Sequence, residues 1–525
     1  MLKKPVDFAV RIRIIIGKRG LLLWKLEWFY IYGREICRMN KNKESAHEGT
    51  SMQRAKVLVL TGIFMLLLLP GAHGGITLTT LVSFAGTNGA TPFAALIQGA
   101  DGNFYGTTQS GGDFNKGTVF QLSTNGTLTT LATFDGTNGA TPCGLVQSSD
   151  GSFYGTTQAG GTNAVSSGGL GTVFRITTNG SFTSLMSFAG TNGANPMSGL
   201  MRGSDGNFYG TTYHGGSSSF GAIYRFTSNN TLDVLASLDF TNGWPVGGLV
   251  ESSNGNFYGT STAGRSSHGG LFQVTSNGTV SNLATFLVTN TLPQGALVQG
   301  KDGNFYGTSV FGAGPSKNAN NRGTIFSVTP SGTVEPLYTF IPSAQSSTTF
   351  PDGAAPYCTM IQDAAGNFYG TASAGGWFTK GVVFELTSDG TFVKLAQMNG
   401  TNGANPYSGL IVGTDGNFYG VAKSGGAYGQ GSIFVLGITV DPPVIQSIRQ
   451  TNNSIAFSWS AVPGKRYQVQ STPELVPTNW NNLGGAITAT NGVFNSAVTS
   501  PNVTLSASDL IGASSHQFYR VVVVP

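Results

Sequence analysis

Few side chains beyond residue 74 are equipped for chemistry. The glutamates there are Glu251, Glu335, Glu385 and Glu474, and each falls in a strand or linker position. They do not form the convergent carboxylate pair that a glycosidase needs. Of fourteen aspartates in the same span, eight precede a glycine and read as turn formers. His214 and His268 occupy the same loop of two neighbouring repeats and could approach a shared metal. Two imidazoles without a third ligand make a weak zinc site, so neither a metal nor another cofactor is expected. The chain has no phosphate-binding glycine loop, no HExxH, no paired CxxC and no GxSxG elbow. It does offer aromatic rings set among Gly, Asn and Ser: Phe114, Phe220, Trp377, Phe378 and Tyr428. Rings in such surroundings suit stacking on sugars, which present apolar CH faces and polar rims. The bland reading of the same rings is that they cap the structure beneath them.

The loops that carry these residues belong to a repeat. Residues 101–112 read DGNFYGTTQSGG, and close copies return until the motif tyrosines number seven: Tyr105, Tyr154, Tyr209, Tyr258, Tyr306, Tyr369 and Tyr419. Their spacing of 48 to 63 residues matches a four-stranded propeller blade better than a solenoid coil. In the first unit AALIQGA is an inner strand, Asp101-Gly102 a turn, NFYGTTQ the second strand and GTVFQLS the third. Asn125-Gly126 is another turn, and TLTTLATF the outer strand. Phe104 and Tyr105 are adjacent, so they point to opposite faces and require a blade sandwiched between two neighbours. The last unit lacks an outer strand, while ITLTTLVSF, residues 76–84, copies one ahead of the first unit. That strand is expected to close a ring of seven blades.

The units, with their GTNGATP, SDGNFYGTT and GTVF patterns, resemble the tandem repeat called GloVer, found in secreted choice-of-anchor bacterial proteins. The resemblance spans about residues 76–440 and implies an exported, surface-attached protein; it brings no shared activity and no site residues. The tail, FYRVVVVP, departs from the family's usual sorting signal. After Pro442-Pro443, SIAFSWSAVPGKRYQVQST and HQFYRVVVV resemble a fibronectin type III sandwich, with Trp459 and Tyr467 as core residues on paired strands.

Composition sets the compartment and excludes one partner class. Gly is abundant at 77 residues and charged residues make up only 10%, which suits a turn-rich all-β chain. The net charge of +5 is a property of one end: 13 of the 28 basic residues lie before residue 57 with only five of the 23 acids. The remainder is slightly acidic, so no nucleic-acid partner is expected. Residues 52–74 carry two cations, an apolar run from Val57 to Leu69, Pro70 and small residues. They read as a signal peptide with Ala72 and Gly74 at the cleavage site, and thirteen apolar residues fall short of a membrane span. Residues 1–51 are a leader that reads either as an over-extended gene start or as a long n-region. The two later cysteines, Cys143 and Cys358, belong to the second and sixth repeats, almost opposite in a ring of seven and too far apart for a disulfide.

The expectation is an all-β chain with a leader over 1–51, a signal peptide over 52–74, a seven-bladed propeller over 75–440 and a β-sandwich over 441–525. The second-to-third-strand loops share one face with the GTNGA loops that enter each inner strand. That face carries Phe114, Phe220, Trp377, Phe378, Tyr428, His214 and His268, with Lys116, Phe311, Lys317 and Lys380 nearby. It points to a monomeric, secreted or cell-surface, non-catalytic protein that binds a glycan or a surface protein. A polysaccharide lyase or hydrolase on a propeller scaffold, and a purely structural surface protein, are the alternatives.

Overall fold

Each repeat begins its second strand at a hairpin whose geometry its own residues dictate. Gly102 takes φ +82, and Asp101 accepts from the Asn103 backbone N–H at 3.1 Å, closing the turn ahead of Phe104–Ser110. Beyond the turn, Gly106 sits where a Cβ would come within 2.5 Å of the Phe120 ring, so glycine is what lets the third strand lay its phenylalanine flat across the second. The computed structural model describes residues 76–438 apart from 164–167, 263–268, 287–291, 312–321 and 344–348, together with the backbone of strands within 7–38 and 445–524. The expected signal segment, 52–74, lies outside the described residues.

Seven antiparallel sheets follow one another along 76–438. Blade 1 spans Ala90–Thr133, and blades 2 to 6 repeat its order of inner, second, third and outer strand. Blade 7 takes three strands from Ile411–Val412, Phe418–Ala422 and Ser432–Ile438, and its outer strand is Ile76–Ser83. The pairing runs from Ser432 opposite Ser83 to Ile438 opposite Ile76, so the ring is closed by the first strand of the array as its sequence predicts. Inner strands of neighbouring blades meet closely; the Cα of Gly199 lies 3.7 Å from the Cβ position of Gly144. Of the inner strand expected over AALIQGA only Ile97–Gln98 is strand, and Ala90–Pro92 pairs separately ahead of it.

Burial is organised between blades. Seven hydrophobic clusters line the ring, each drawn from two adjacent blades. At the centre of each, the motif tyrosine of one blade packs on the motif phenylalanine of the next with ring centroids 4.1 to 4.6 Å apart. Burying such rings contributes a few kcal/mol each. Polar latches flank the rings. On the lower face Gln147 of blade 2 accepts from the Ala100 N–H of blade 1 at 3.1 Å, and Glu251 of blade 4 takes the Ser204 N–H and hydroxyl at 2.7 and 2.6 Å. On the upper face the residue before the inner-strand proline is left-handed in Thr91, Thr141, Asn195, Trp244, Ala355 and Asn405. Each of these six donates its N–H to a loop carbonyl of the preceding blade at 2.6 to 2.9 Å, which offsets the backbone strain.

Blade 2 breaks the pattern by one residue. Pro142-Cys143-Gly144-Leu145 is shorter than Pro92-Phe93-Ala94-Ala95-Leu96, and its inner strand runs unbroken over Ala140–Gln147. In blades 2, 4, 5 and 6 the second-strand threonine donates to the carbonyl two residues after the next blade's proline, as Thr308 does to Cys358 at 2.9 Å. In blade 2 that carbonyl, of Gly144, faces Gly155, and the buried Thr107 hydroxyl of blade 1 has no partner among the described residues.

The backbone outside the ring is strand as well. Asp7–Ile16, Leu22–Tyr32 and Glu35–Arg38 form a three-stranded antiparallel sheet. Beyond the propeller, Ile445–Thr451, Ser454–Trp459 and Val503–Ala507 form one sheet, while Arg466–Thr472 pairs with Asn481–Asn482, Ile487–Thr488 and Phe518–Val524 in another. Trp459 and Tyr467 therefore lie in different sheets, correcting the expectation of paired strands.

Candidate functional site

The upper face is assembled from two loops per blade. The loop entering the inner strand and the loop joining second to third strand are tied together by hydrogen bonds such as Gly112 N–H to the Gly86 carbonyl at 2.9 Å and Gly426 N–H to the Gly400 carbonyl at 2.8 Å. Tight turns then lift the loop tips into solvent. Trp377 is 79% exposed, Tyr428 65%, Phe114 58% and Phe378 52%. A ring that exposed buries little apolar area beneath it. All exposed aromatics among the described residues, with Phe240 as the fifth, belong to this face.

The expected site residues divide between blades. Phe114, Phe378 and Tyr428 occupy one equivalent position, in GGDFNKG, GGWFTKG and GGAYGQG of blades 1, 6 and 7, which are consecutive around the closed ring. Phe220 and His214 are in blade 3. Phe220 is half-buried and not an exposed platform, because it packs against Trp244 at 5.0 Å and Phe240 at 6.0 Å. His214 is exposed, with its ring edge-on to Tyr213 at 4.6 Å. His268 and Lys317 lie outside the described residues. Phe311 is half-buried in blade 5. No group of three or more His, Cys, Asp or Glu able to hold a metal ion occurs among the described residues.

Sequence reasoning missed a second set of rings. The residue after each inner-strand proline stands where the innermost strands begin, and in blades 6, 7 and 1 it is Tyr357, Tyr407 and Phe93. These rings pack on one another at a tilt across the blades, Tyr357 on Tyr407 at 4.5 Å and Tyr407 on Phe93 at 5.2 Å. The Lys423 ammonium lies over Tyr407 at 4.7 Å and Phe93 at 5.5 Å from the ring centres. The equivalent positions hold Met197, Val246 and Gln294 in blades 3, 4 and 5, and the deletion removes the position from blade 2. Aligning that column of the repeat would have exposed the asymmetry.

The carboxylates are spoken for elsewhere. Tyr105, Tyr209, Tyr306 and Tyr419 donate their hydroxyls to Asp101, Asp205, Asp302 and Asp415 at 2.6 to 2.9 Å, within the lower turns. Burial, then the aspartate, pushes each of these tyrosines up to about 12, so they stay protonated donors. Burial alone would raise Asp101, Asp205 and Asp302, but hydrogen bonds from the tyrosine and a neighbouring asparagine hold them below the usual carboxylate value. Cys143 and Cys358 are buried free thiols, raised by that burial to about 12 and about 11 and therefore unreactive at neutral pH.

Solved structures to which the chain is similar match it at low identity and with TM-scores below 0.5. The extracellular domain of a protein described as a hybrid two component system from B. thetaiotaomicron is 10% identical with a TM-score of 0.47, over 92% of this chain and 65% of that one. The chain thus spans less than two thirds of that structure. The periplasmic gluconolactonase of Pseudomonas aeruginosa is 14% identical with a TM-score of 0.35, over 71% of this chain and 99% of that one. A luciferin-regenerating enzyme is 11% identical with a TM-score of 0.36, over 69% and 96%. No curated protein matches the sequence. Among the described residues no helix is long and apolar enough to cross a membrane. The model of the Gloeobacter/Verrucomicrobia repeat matches residues 71–199, 162–349 and 315–454, most of the chain and all seven blades, and the chain belongs to that repeat family.

Proposed function

We propose that this chain is an exported, non-catalytic binding protein of the cell surface whose propeller holds a glycan on its upper face. The observation that carries the reading is the concentration of the exposed aromatic side chains on that face: Phe114, Phe240, Trp377, Phe378 and Tyr428 among glycines, asparagines and serines. Rings held in solvent on short, hydrogen-bonded turns are costly to expose without a partner, and sugar rings match their size and mixed polarity. Asp101, Asp205 and Asp302 accept from tyrosine hydroxyls in lower-face turns, away from the face that carries the exposed rings. The C-terminal sheets serve as a fibronectin type III-like spacer, and the segment 52–74 as the export signal. A glycan-array screen of the purified chain tests this reading. Binding to a defined saccharide class, without release of reducing ends on incubation, is the expected result. Silence across the array, or steady turnover of a bound polysaccharide, overturns it.

A further inference from the structure

The upper face is not seven-fold symmetric, and its asymmetry falls in one sector. Aromatic side chains occupy both the loop-tip column and the post-proline column only in blades 6, 7 and 1. The outer arc is Phe378, Tyr428 and Phe114, all exposed. The inner arc is Tyr357, Tyr407 and Phe93, in mutual contact. These are three consecutive blades of a closed ring, joined across its seam by the pairing of Ile76–Ser83 with Ser432–Ile438, so the two arcs face one continuous stretch of surface.

Cations accompany the rings. Lys423 is held over Tyr407 and Phe93, while Lys380 and Lys116 occupy the same position after the loop tips of blades 6 and 1, exposed in both. The ion pairs among the described residues are Arg175–Asp150 and Arg225–Asp233, so none of the three lysines is paired with a described carboxylate. Of the described carboxylates in this sector's upper loops, Asp352 accepts from the Tyr338 hydroxyl at 3.0 Å, and Asp113 is exposed beside Thr133. The lysine excess stands out because the chain beyond its leader is slightly acidic.

We infer that blades 6, 7 and 1 form the binding site and that its ligand is an acidic polysaccharide, a chain of uronate sugars. Their rings stack on the outer arc while their carboxylates meet Lys380, Lys116 and, at the channel mouth, Lys423. An aromatic platform alone accepts any sugar. The cations supply the choice of an acidic one, since a carboxylate brought to an ammonium gains charge-assisted hydrogen bonds that a neutral hydroxymethyl group does not. The inference rests on the glycan-binding reading above and narrows it.

Isothermal titration of the full chain with oligogalacturonate and alginate oligomers, beside a neutral cello-oligosaccharide of equal length, tests it. An acidic oligomer should bind, and its affinity should fall about tenfold between 20 and 300 mM salt. Lys380→Gln and Lys423→Gln should each weaken it about threefold to tenfold, and Tyr428→Ala by more, while Phe240→Ala, on the loop entering blade 4, should weaken it less than Tyr428→Ala does. Lys380 and Tyr428 are exposed, so those variants keep the parent's melting temperature. Preference for the neutral oligomer, salt-independent binding, or equal losses from Phe240→Ala and Tyr428→Ala would overturn the uronate sector while leaving glycan binding standing. Failure of every oligomer to bind would remove both.

Discussion

The ring of Tyr419 lies 4.2 Å from that of Phe104, centroid to centroid, although the two belong to the last and first units of the array. The distance matches the contact between Tyr209 and Phe257, 4.3 Å apart inside the array. The seam is therefore packed as well as any interior interface. Phe104→Ala and Phe257→Ala should each cost about 3 to 5 kcal/mol in denaturant unfolding and agree within about 1 kcal/mol. A much smaller loss at Phe104 would mean that the seam opens in solution.

Deleting residues 76–83 removes the only partner that Ser432–Ile438 has on its outer side. The exposed edge leaves backbone donors and acceptors unpaired and uncovers the Leu78 and Val82 side chains' packing sites in the seam clusters. The truncated chain should lose its cooperative transition and aggregate, as read by calorimetry and light scattering. A chain ending at residue 440 should keep its transition. An unchanged melting curve after the strand deletion would contradict closure by that strand.

These features were legible because they are local or copied. Asp101-Gly102 announces its hairpin in two residues, and Ile76–Ser83 betrays its place by repeating an outer strand elsewhere. The Tyr105–Phe153 stack follows from two adjacent rings that must face different blades. The inner aromatic arc was not legible in the same way: Tyr357, Tyr407 and Phe93 are half-buried, and in any single repeat an apolar residue after proline reads as core. Their meaning lies in contacts between blades, from Tyr357 to Tyr407 and from Tyr407 back to Phe93. Trp244 was hidden for a related reason, sitting in a left-handed pre-proline position that no local rule assigns to tryptophan. The pairing of the C-terminal strands is likewise a non-local choice, which Trp459 and Tyr467 could not disclose.

The lower turns set the acid limit of the fold. Asp101, Asp205 and Asp302 are held below their ordinary value of 3.8 in the native state. A depressed native value means that their contribution is present above the unfolded pKa and is lost as pH falls through the native one. The melting temperature should therefore be level from pH 7 to about 5 and drop below about 4. Replacing all three by Asn should lessen that drop, leaving the share of Asp135, Asp150, Asp239 and Asp389, which are also held low. Loss concentrated between pH 6 and 7 would point to groups other than these turns.

Trp377 decides between a face that binds and a face that only packs. Its ring is 79% exposed, and its backbone N–H is anchored to the Gln397 side chain at 3.1 Å, so the loop stays placed when the ring is removed. If a saccharide stacks there, Trp377→Ala should weaken binding by about 2 kcal/mol, roughly thirtyfold, because tryptophan offers the largest stacking surface at low conformational cost. The melting temperature should stay within about a degree of the parent, since little apolar area was buried to lose. A ring with a packing role gives the opposite pair of results: a drop in stability, and the same affinity in parent and variant. Measuring both quantities on one protein separates the two, and a large unfolding shift at unchanged affinity would move the stacking surface away from blade 6.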